Sequence, residues 1–309
     1  MKQVSKRGAR IKMIWIVLIV LLLLMAGCLG ISGFVGWKLT HPLRLPLDDS
    51  PENYGLTYQE IEFTSRTLDV KLAGWLLTSA NQDSDSPMTL ILSHGYAGTR
   101  LEKGLPALSL AKRLVEAGYT VLMFDFRNSG LSSGQMTTVG FSEKQDLLGA
   151  IDWVREHQPG KIGLIGYSMG ATTSLLAAAE APDIAGVVAD SPFSQLKSYL
   201  SQNLSVWSKL PNFPFTWLIL TILPRLTGID PHQVDALIAV QQIYPRPVLF
   251  IHSQDDMAIP FTQSEKMWRM HQDRFEFWKT EKAGHVGTYQ LYTQEYTSRL
   301  LAFFEHLRN

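Results

Sequence analysis

Cysteine is almost missing from this chain. Of 309 residues only Cys28 is one, so no intrachain disulfide, cysteine-rich metal site or dithiol redox pair can form. Net charge is missing as well: Lys plus Arg number 28 and Asp plus Glu number 28. That balance offers a polyanion no field to follow, and no nucleic-acid partner is expected. No internal repeat or extended low-complexity tract interrupts the chain. What is present is ordinary for a globular protein, with a hydrophobic share of 46%. The length suits one large domain rather than two.

Acidic residues are absent from Met1 to Lys12, where Lys2, Lys6, Arg7, Arg10 and Lys12 stand, and an almost unbroken apolar run follows from Met13 to Trp37. A spanning helix needs about 20 apolar residues to cross a hydrocarbon layer of ~30 Å, whereas the apolar stretch of a cleavable signal covers roughly 7 to 15. The run therefore predicts a transmembrane anchor over residues 13–37 behind a basic segment, 1–12. Cations tend to stay on the cytoplasmic side, which puts the remainder of the chain outside, with Trp37 and Lys38 near the far interface. A competing reading comes from Leu24-Met25-Ala26-Gly27-Cys28, which resembles a bacterial lipobox, with Cys28 lipidated at the mature N-terminus. Met25 stands where leucine is commoner, and apolar sequence continues through Ile31, Phe34 and Val35 where a lipoprotein turns polar. Both readings tether the chain to a membrane.

A Pro-containing linker (residues 38–57) leads to two short strands, Tyr58 to Thr64 and Asp69 to Leu77, and the polar stretch Asn81 to Pro87 breaks the chain after them. From Met88 the pattern is strand, turn, helix, repeated. The runs Thr89 to Ser93, Thr120 to Phe124, Ile162 to Ile165, Gly186 to Ala189 and Val248 to Ile251 are continuously apolar, as strands buried on both faces are. Leu105, Leu108, Ala111 and Val115 form one helical stripe, and Leu147, Ile151 and Val154 another. These alternations predict an α/β fold with a doubly wound, mostly parallel sheet. In such a sheet chemistry gathers at the carboxyl ends of the strands.

Gly166-Tyr167-Ser168-Met169-Gly170 follows one of these strands and precedes a small-residue helix from about Ala171 to Ala181. A bare Gly-x-Ser-x-Gly arises by chance in roughly one chain in ten of this length, so its weight comes from the strand before it and the helix after it. In that setting the serine occupies a strained turn and the glycines let strand and helix backbones close up. Ser168 is the expected nucleophile, and a structural turn serine is the alternative.

Four motifs in order now carry a resemblance: Ser93-His94-Gly95-Tyr96, Asp125-Phe126-Arg127-Asn128-Ser129-Gly130, Gly166 to Gly170, and His252 to Pro260 followed by Gly284-His285. From about Tyr58 to the C-terminus the chain resembles the α/β-hydrolase superfamily, and within it the membrane-associated Bem46-like and prolyl-oligopeptidase-like single-domain serine hydrolases. The resemblance implies a hydrolase domain over 58–309. It implies backbone N–H groups of Tyr96 and Met169 as the oxyanion hole, and chemistry that needs neither metal nor organic cofactor.

It also ranks the acids and bases. Serine needs a base that titrates near neutral pH, and eight histidines compete. The chain order Ser, acid, His of this fold selects His285, which follows the strand Phe275 to Thr280, and rejects His94. His94 reads as a loop brace. His157, His232, His271 and His306 read as surface residues, and His252 as a residue packed at a strand end. His252-Ser253-Gln254-Asp255-Asp256-Met257-Ala258-Ile259-Pro260 resembles the family pattern His-Gly-x-x-Asp-x-x-Val/Ile-Pro, with Ser253 in the glycine's place. Aligning its ends selects Asp256 as the acid, with Asp255 and Asp190 as competitors. Asp125 to Gly130 reads as a structural turn.

Between Asp190 and Gln241 the alternation lapses, and Trp207, Phe213, Phe215 and Trp217 cluster around Pro211, Pro214 and Pro224. A cap insertion at about 194–241 is expected there, its apolar residues either lining a hydrophobic substrate pocket or forming the cap's own core. The expected function is hydrolysis of an ester, thioester or amide through an acyl-serine intermediate, with a small-molecule or acylated substrate. A prolyl-oligopeptidase-type peptidase and a non-catalytic membrane-tethered binding module are the alternatives.

Overall fold

The computed structural model describes the backbone of residues 2–78, 86–102 and 104–308, and side chains from residue 10 onward. Most of the expected chain break at Asn81 to Pro87 lies outside the described residues. Two compact units are present: residues 1–39 with 200–229, and residues 40–199 with 230–309.

The larger unit is built on one eight-stranded sheet. Its strands are β1 (Tyr58–Thr64), β2 (Lys71–Leu77), β3 (Met88–Ser93), β4 (Thr120–Phe124), β5 (Lys161–Tyr167), β6 (Ile184–Asp190), β7 (Val248–Ser253) and β8 (Phe275–Thr280). They lie in the order β1-β2-β4-β3-β5-β6-β7-β8. The first two pairings are antiparallel and every later one is parallel, the doubly wound, mostly parallel sheet that the alternation predicts. Strand β2 begins at Lys71 rather than Asp69, because the Asp69 carboxylate accepts hydrogen bonds from Ser65 Oγ and Thr67 Oγ1 and closes the connecting turn instead.

The helices in chain order are α1 (Lys2–Thr40), α2 (Ala107–Glu116), α3 (Glu143–His157), α4 (Met169–Glu180), α5 (Leu196–Ser208), α6 (Trp217–Thr227), α7 (Ala236–Ile243), α8 (Thr262–Trp268), α9 (Thr288–Leu291) and α10 (Thr293–Arg308). Side chains alternate across the strands. Leu90, Leu92, Val121, Met123, Ile165, Val188, Leu249 and Ile251 share one core with Leu108, Ala111 and Val115 of α2 and Leu300 and Phe304 of α10. Their neighbours Ile91, Leu122, Leu164, Val187 and Phe250 are buried on the other face, where α4 packs on β5 and β6 and lies beside α3 and α7. Removing apolar surface from water on both faces at ~25 cal/mol per Å² is what makes continuous apolar strands stable here.

Two buried ion pairs fix the turn after β4. Asp125 accepts from the N–H, Nε and Nη2 of Arg100 and from Leu131 N–H. Burial works against its charge, but the bonds from Arg100 outweigh that and hold its carboxyl below the usual range. Arg127 donates Nε and Nη2 to Asp146 of α3 and Nη1 to Asp69. The motif Asp125 to Gly130 is thus a structural turn. Asp146→Ala should leave a guanidinium largely buried without its main partner, at a cost of about 3 kcal/mol or more. The measurement is a denaturant midpoint at unchanged slope; a loss under ~1 kcal/mol would show that Asp69 alone satisfies Arg127.

The smaller unit contains α1 and α6. Residues 10–40 form one helix long and apolar enough to cross a membrane.

Candidate active site

The site forms at the carboxyl ends of β5 and β7 and in the loop after β8. Strand β5 pairs with β6 up to Tyr167 and Asp190, and the next amide, Ser168 N–H, donates to Asp190 C=O at 2.8 Å. The chain then turns at once into α4, starting at Met169 rather than near Ala171. Ser168 takes φ 52° and ψ −116°, a conformation costing about 1–3 kcal/mol, sustained because the strand on one side and the helix on the other over-determine it. Glycine is required on both sides. A Cβ on Gly166 would stand 2.4 Å from Gly170 O, and one on Gly170 would stand 2.1 Å from Ser93 O.

Ser168 Oγ lies 2.8 Å from His285 Nε2, and His285 Nδ1 lies 2.7 Å from Asp256 Oδ2. Asp256 follows β7. Its other oxygen accepts the N–H groups of Ala258 and Ile259, at 2.8 and 2.9 Å, so the loop ending Ile259-Pro260 folds around the carboxylate. Burial opposes ionisation of Asp256, but hydrogen bonds from His252 and His285 outweigh it, and the carboxyl is held well below its usual range. An ionised carboxylate only accepts, so His285 Nδ1 carries the hydrogen and Nε2 presents its lone pair to the serine hydroxyl. The serine is nearly buried, and the imidazole keeps about a quarter of its side chain exposed.

The competing acids stand elsewhere. Asp255 is exposed and accepts from Ser253 Oγ and Gly284 N–H. Asp190 is fully buried, accepts from Ser191 Oγ and Tyr296 Oη, and is pushed up to about 6 by burial. Ser253, in the place of the pattern's glycine, donates to Asp255 and accepts from Ala283 N–H at 3.2 Å. It thereby ties the Asp256 loop to the His285 loop.

His252 does more than pack. Its Nε2 faces two acceptors, Asp256 Oδ2 at 3.1 Å and Ile259 O at 2.8 Å, so that nitrogen carries the hydrogen, while Nδ1 meets Ser264 Oγ at 2.8 Å. A second imidazole therefore clamps the carboxylate that binds His285. The signal in the sequence was the four-residue spacing of His252 and Asp256 within one motif. His94 Nδ1 donates to Gly95 O at 2.7 Å and Nε2 accepts Phe126 N–H at 3.0 Å, which is loop bracing. His157, His232 and His306 are exposed, but His271 is half-buried, stacked on Tyr244 with ring centroids 4.3 Å apart.

Met169 is the first residue of α4, so its N–H belongs to the helix-initial amides that have no intrahelical acceptor. Tyr96 lies in the loop after β3. That loop stands beside the serine, for a Cβ on Gly95 would be 3.4 Å from Ser168 Cβ. Burial pushes the Tyr96 phenol up to about 12, so it stays protonated. Among the described residues no three His, Cys, Asp or Glu side chains gather so as to hold a metal ion.

The family model described as X-Pro dipeptidyl-peptidase (S15 family) matches residues 55–295. Over 229 residues the sequence is 30% identical to the uncharacterized protein YqkD of Bacillus subtilis, covering 73% of each chain. It is 27% identical over 212 residues to the lysophosphatidylserine lipase ABHD12 of Danio rerio, covering 66% of this chain and 51% of that one. Among solved structures, the esterase Pf2001 of Pyrococcus furiosus matches with a TM-score of 0.71 and 29% identity, over 88% of this chain and 99% of the esterase.

Proposed function

Because this chain belongs to the α/β-hydrolase superfamily, and within it to the family described as X-Pro dipeptidyl-peptidase (S15 family), we propose that Ser168 is its nucleophile, His285 its base and Asp256 the acid that orients the base. The chain is an esterase-like enzyme of the serine-hydrolase type. One observation carries the residue assignment: hydroxyl, imidazole and carboxylate form an unbroken hydrogen-bonded line of 2.8 and 2.7 Å.

In the proposed reaction His285 Nε2 takes the hydroxyl proton as Ser168 Oγ bonds to the substrate's carbonyl carbon. The carbonyl oxygen becomes an oxyanion, accepting hydrogen bonds from Tyr96 and Met169 N–H, each worth about 10²- to 10³-fold in rate. As the intermediate collapses, the bond to the leaving group breaks and His285 returns the proton to it. Water then adds to the acyl-serine, giving its proton to His285, and the carboxylic acid leaves as Ser168 regains the proton. Residues, substrate and water supply every proton and electron pair in this scheme, so no cofactor is invoked.

The substrate class we propose is a carboxylic ester, thioester or amide. The Danio rerio relative is by name a lysophosphatidylserine lipase and the Pyrococcus furiosus relative an esterase, which favours the ester. The matching family's description favours a second reading, a peptidase. We further propose that residues 13–37 anchor the chain in a membrane, with the hydrolase domain over 58–309 and its insertion at 194–241 on the extracytoplasmic side. Lipidation of Cys28 is the alternative tether.

A membrane-impermeant fluorophosphonate applied to intact cells tests both chemistry and side. The expected result is a single phosphonylated tryptic peptide carrying Ser168. Absence of label from folded, detergent-extracted protein would refute the nucleophile. Label on extracted protein but not on intact cells would reverse the orientation. Nitrophenyl esters of graded acyl length, set against Xaa-Pro nitroanilides, divide esterase from peptidase.

A further inference from the structure

The segment Leu200 to Ile229 takes no part in the chemistry above, and its composition is unusual for a chain balanced in charge. It contains no Asp or Glu, two cations (Lys209 and Arg225) and the aromatics Trp207, Phe213, Phe215 and Trp217. Structurally it groups with residues 1–39.

The contact between them is at one end of α1. From residue 10 to Gly27 every position of α1 is exposed. Beyond that, one face is covered: Cys28 and Val35 partly, Ser32 and Gly36 fully, a stripe at spacings of three and four. Gly36 is where α6 comes in. A Cβ there would stand 3.4 Å from Leu223 Cδ1 and 3.6 Å from Ile219 Cγ2. Helix α6 thus lies against the last turns of the apolar run, level with Phe34 and Trp37, and Ser32 is already buried about 6 Å before Gly36 along the helix. Around α6 three large apolar residues face outward: Phe213 is 86% exposed, Trp217 65% and Leu226 74%.

We propose that the segment around α6 is seated in the outer interface of the lipid bilayer, beside the exit of α1. The inference rests on the anchor reading above. At 11 residues α6 is about 16 Å long, too short to span, and suited to lying at headgroup depth. Aromatics are enriched at that depth, and a surface without acids carrying Lys209 and Arg225 suits lipid phosphates. The contact at Gly36 supplies the depth, because whatever packs on the end of a spanning helix shares its level in the membrane.

The test uses the full chain in liposomes of mixed phosphatidylcholine and phosphatidylglycerol. In a Cys28→Ser background, a nitroxide is attached at Phe213→Cys, Leu226→Cys, Val20→Cys on the anchor, or Leu68→Cys on an exposed turn of the larger unit. Collision with oxygen is compared with collision with a water-soluble nickel chelate. The oxygen-to-nickel ratio at 213 and 226 is expected to be severalfold above that at 68 and below that at 20. If 213 and 226 match 68 while 20 reads hydrocarbon, the interfacial seat is overturned and the anchor stands. If 20 also matches 68, the anchor reading falls, and the seat with it. Spectral broadening at 213 or 226 that disappears on dilution with unlabelled protein assigns the surface to a second copy and overturns the proposal.

Discussion

If Ser168 is the nucleophile as proposed, Ser168→Ala is expected to lower kcat by about 10⁶-fold, because losing the nucleophile of such a unit costs roughly as much as losing the whole unit. What remains is the binding of substrate and the donors around the carbonyl oxygen. The side chain removed is one oxygen; alanine can hold the same strained turn, and His285 keeps its bond to Asp256. Thermal stability should therefore shift by no more than ~1 kcal/mol. A double variant, Ser168→Ala with His285→Ala, should be no slower than the single one. If the two losses multiplied instead, Ser168 and His285 would be acting on separate steps, and the proposed proton transfer from one to the other would be wrong.

Asp256→Asn should cost about 10⁴ in kcat at little change in KM, for a reason that lies in hydrogen positions. The Ala258 and Ile259 N–H groups both point at Oδ1, so the asparagine oxygen is drawn there and its NH₂ replaces Oδ2. That NH₂ faces His285 Nδ1 and His252 Nε2, both of which donate to the carboxylate. His285 can meet a donor only by moving its hydrogen to Nε2, which then points at Ser168 as a donor and cannot take the hydroxyl proton. The loss should be greatest at neutral pH and recover in part in strong base. Asp255→Asn is the control, since the Asp255 carboxylate is exposed and accepts from Ser253 and Gly284 rather than from His285, and its kcat should stay within about threefold of the parent's, a change of under 1 kcal/mol. A loss at Asp256 of less than tenfold, or an equal loss at Asp255, would reassign the acid.

What could be read in the sequence was whatever is enforced locally. Continuous apolar runs become strands buried on both faces, and spacings of three and four become covering helices. Gly166 and Gly170 announce a strand-to-helix turn because any side chain there would enter a neighbouring backbone. The length of Met13 to Trp37 marks a helix able to cross a membrane. These are short-range constraints, and a single stretch of chain expresses them in full. The strand limits slipped by one or two residues, and at β2 the cause is the Asp69 carboxylate, which closes the turn ahead of the strand.

Other features depended on segments far apart in the chain. Ser168 and His285 are separated by 117 positions, and their approach to 2.8 Å follows from the parallel order β5-β6-β7-β8 and from two loops joined through Ser253. Adjacent aspartates differ little as letters; Asp256 faces His285 because its other oxygen is held by Ala258 and Ile259 N–H, while Asp255 turns outward. The second imidazole on that carboxylate, His252, and the grouping of Leu200 to Ile229 with the N-terminal helix are likewise products of the folded chain. Composition and periodicity specify which face of an element seeks burial, and only the assembled backbone specifies which partner it meets there.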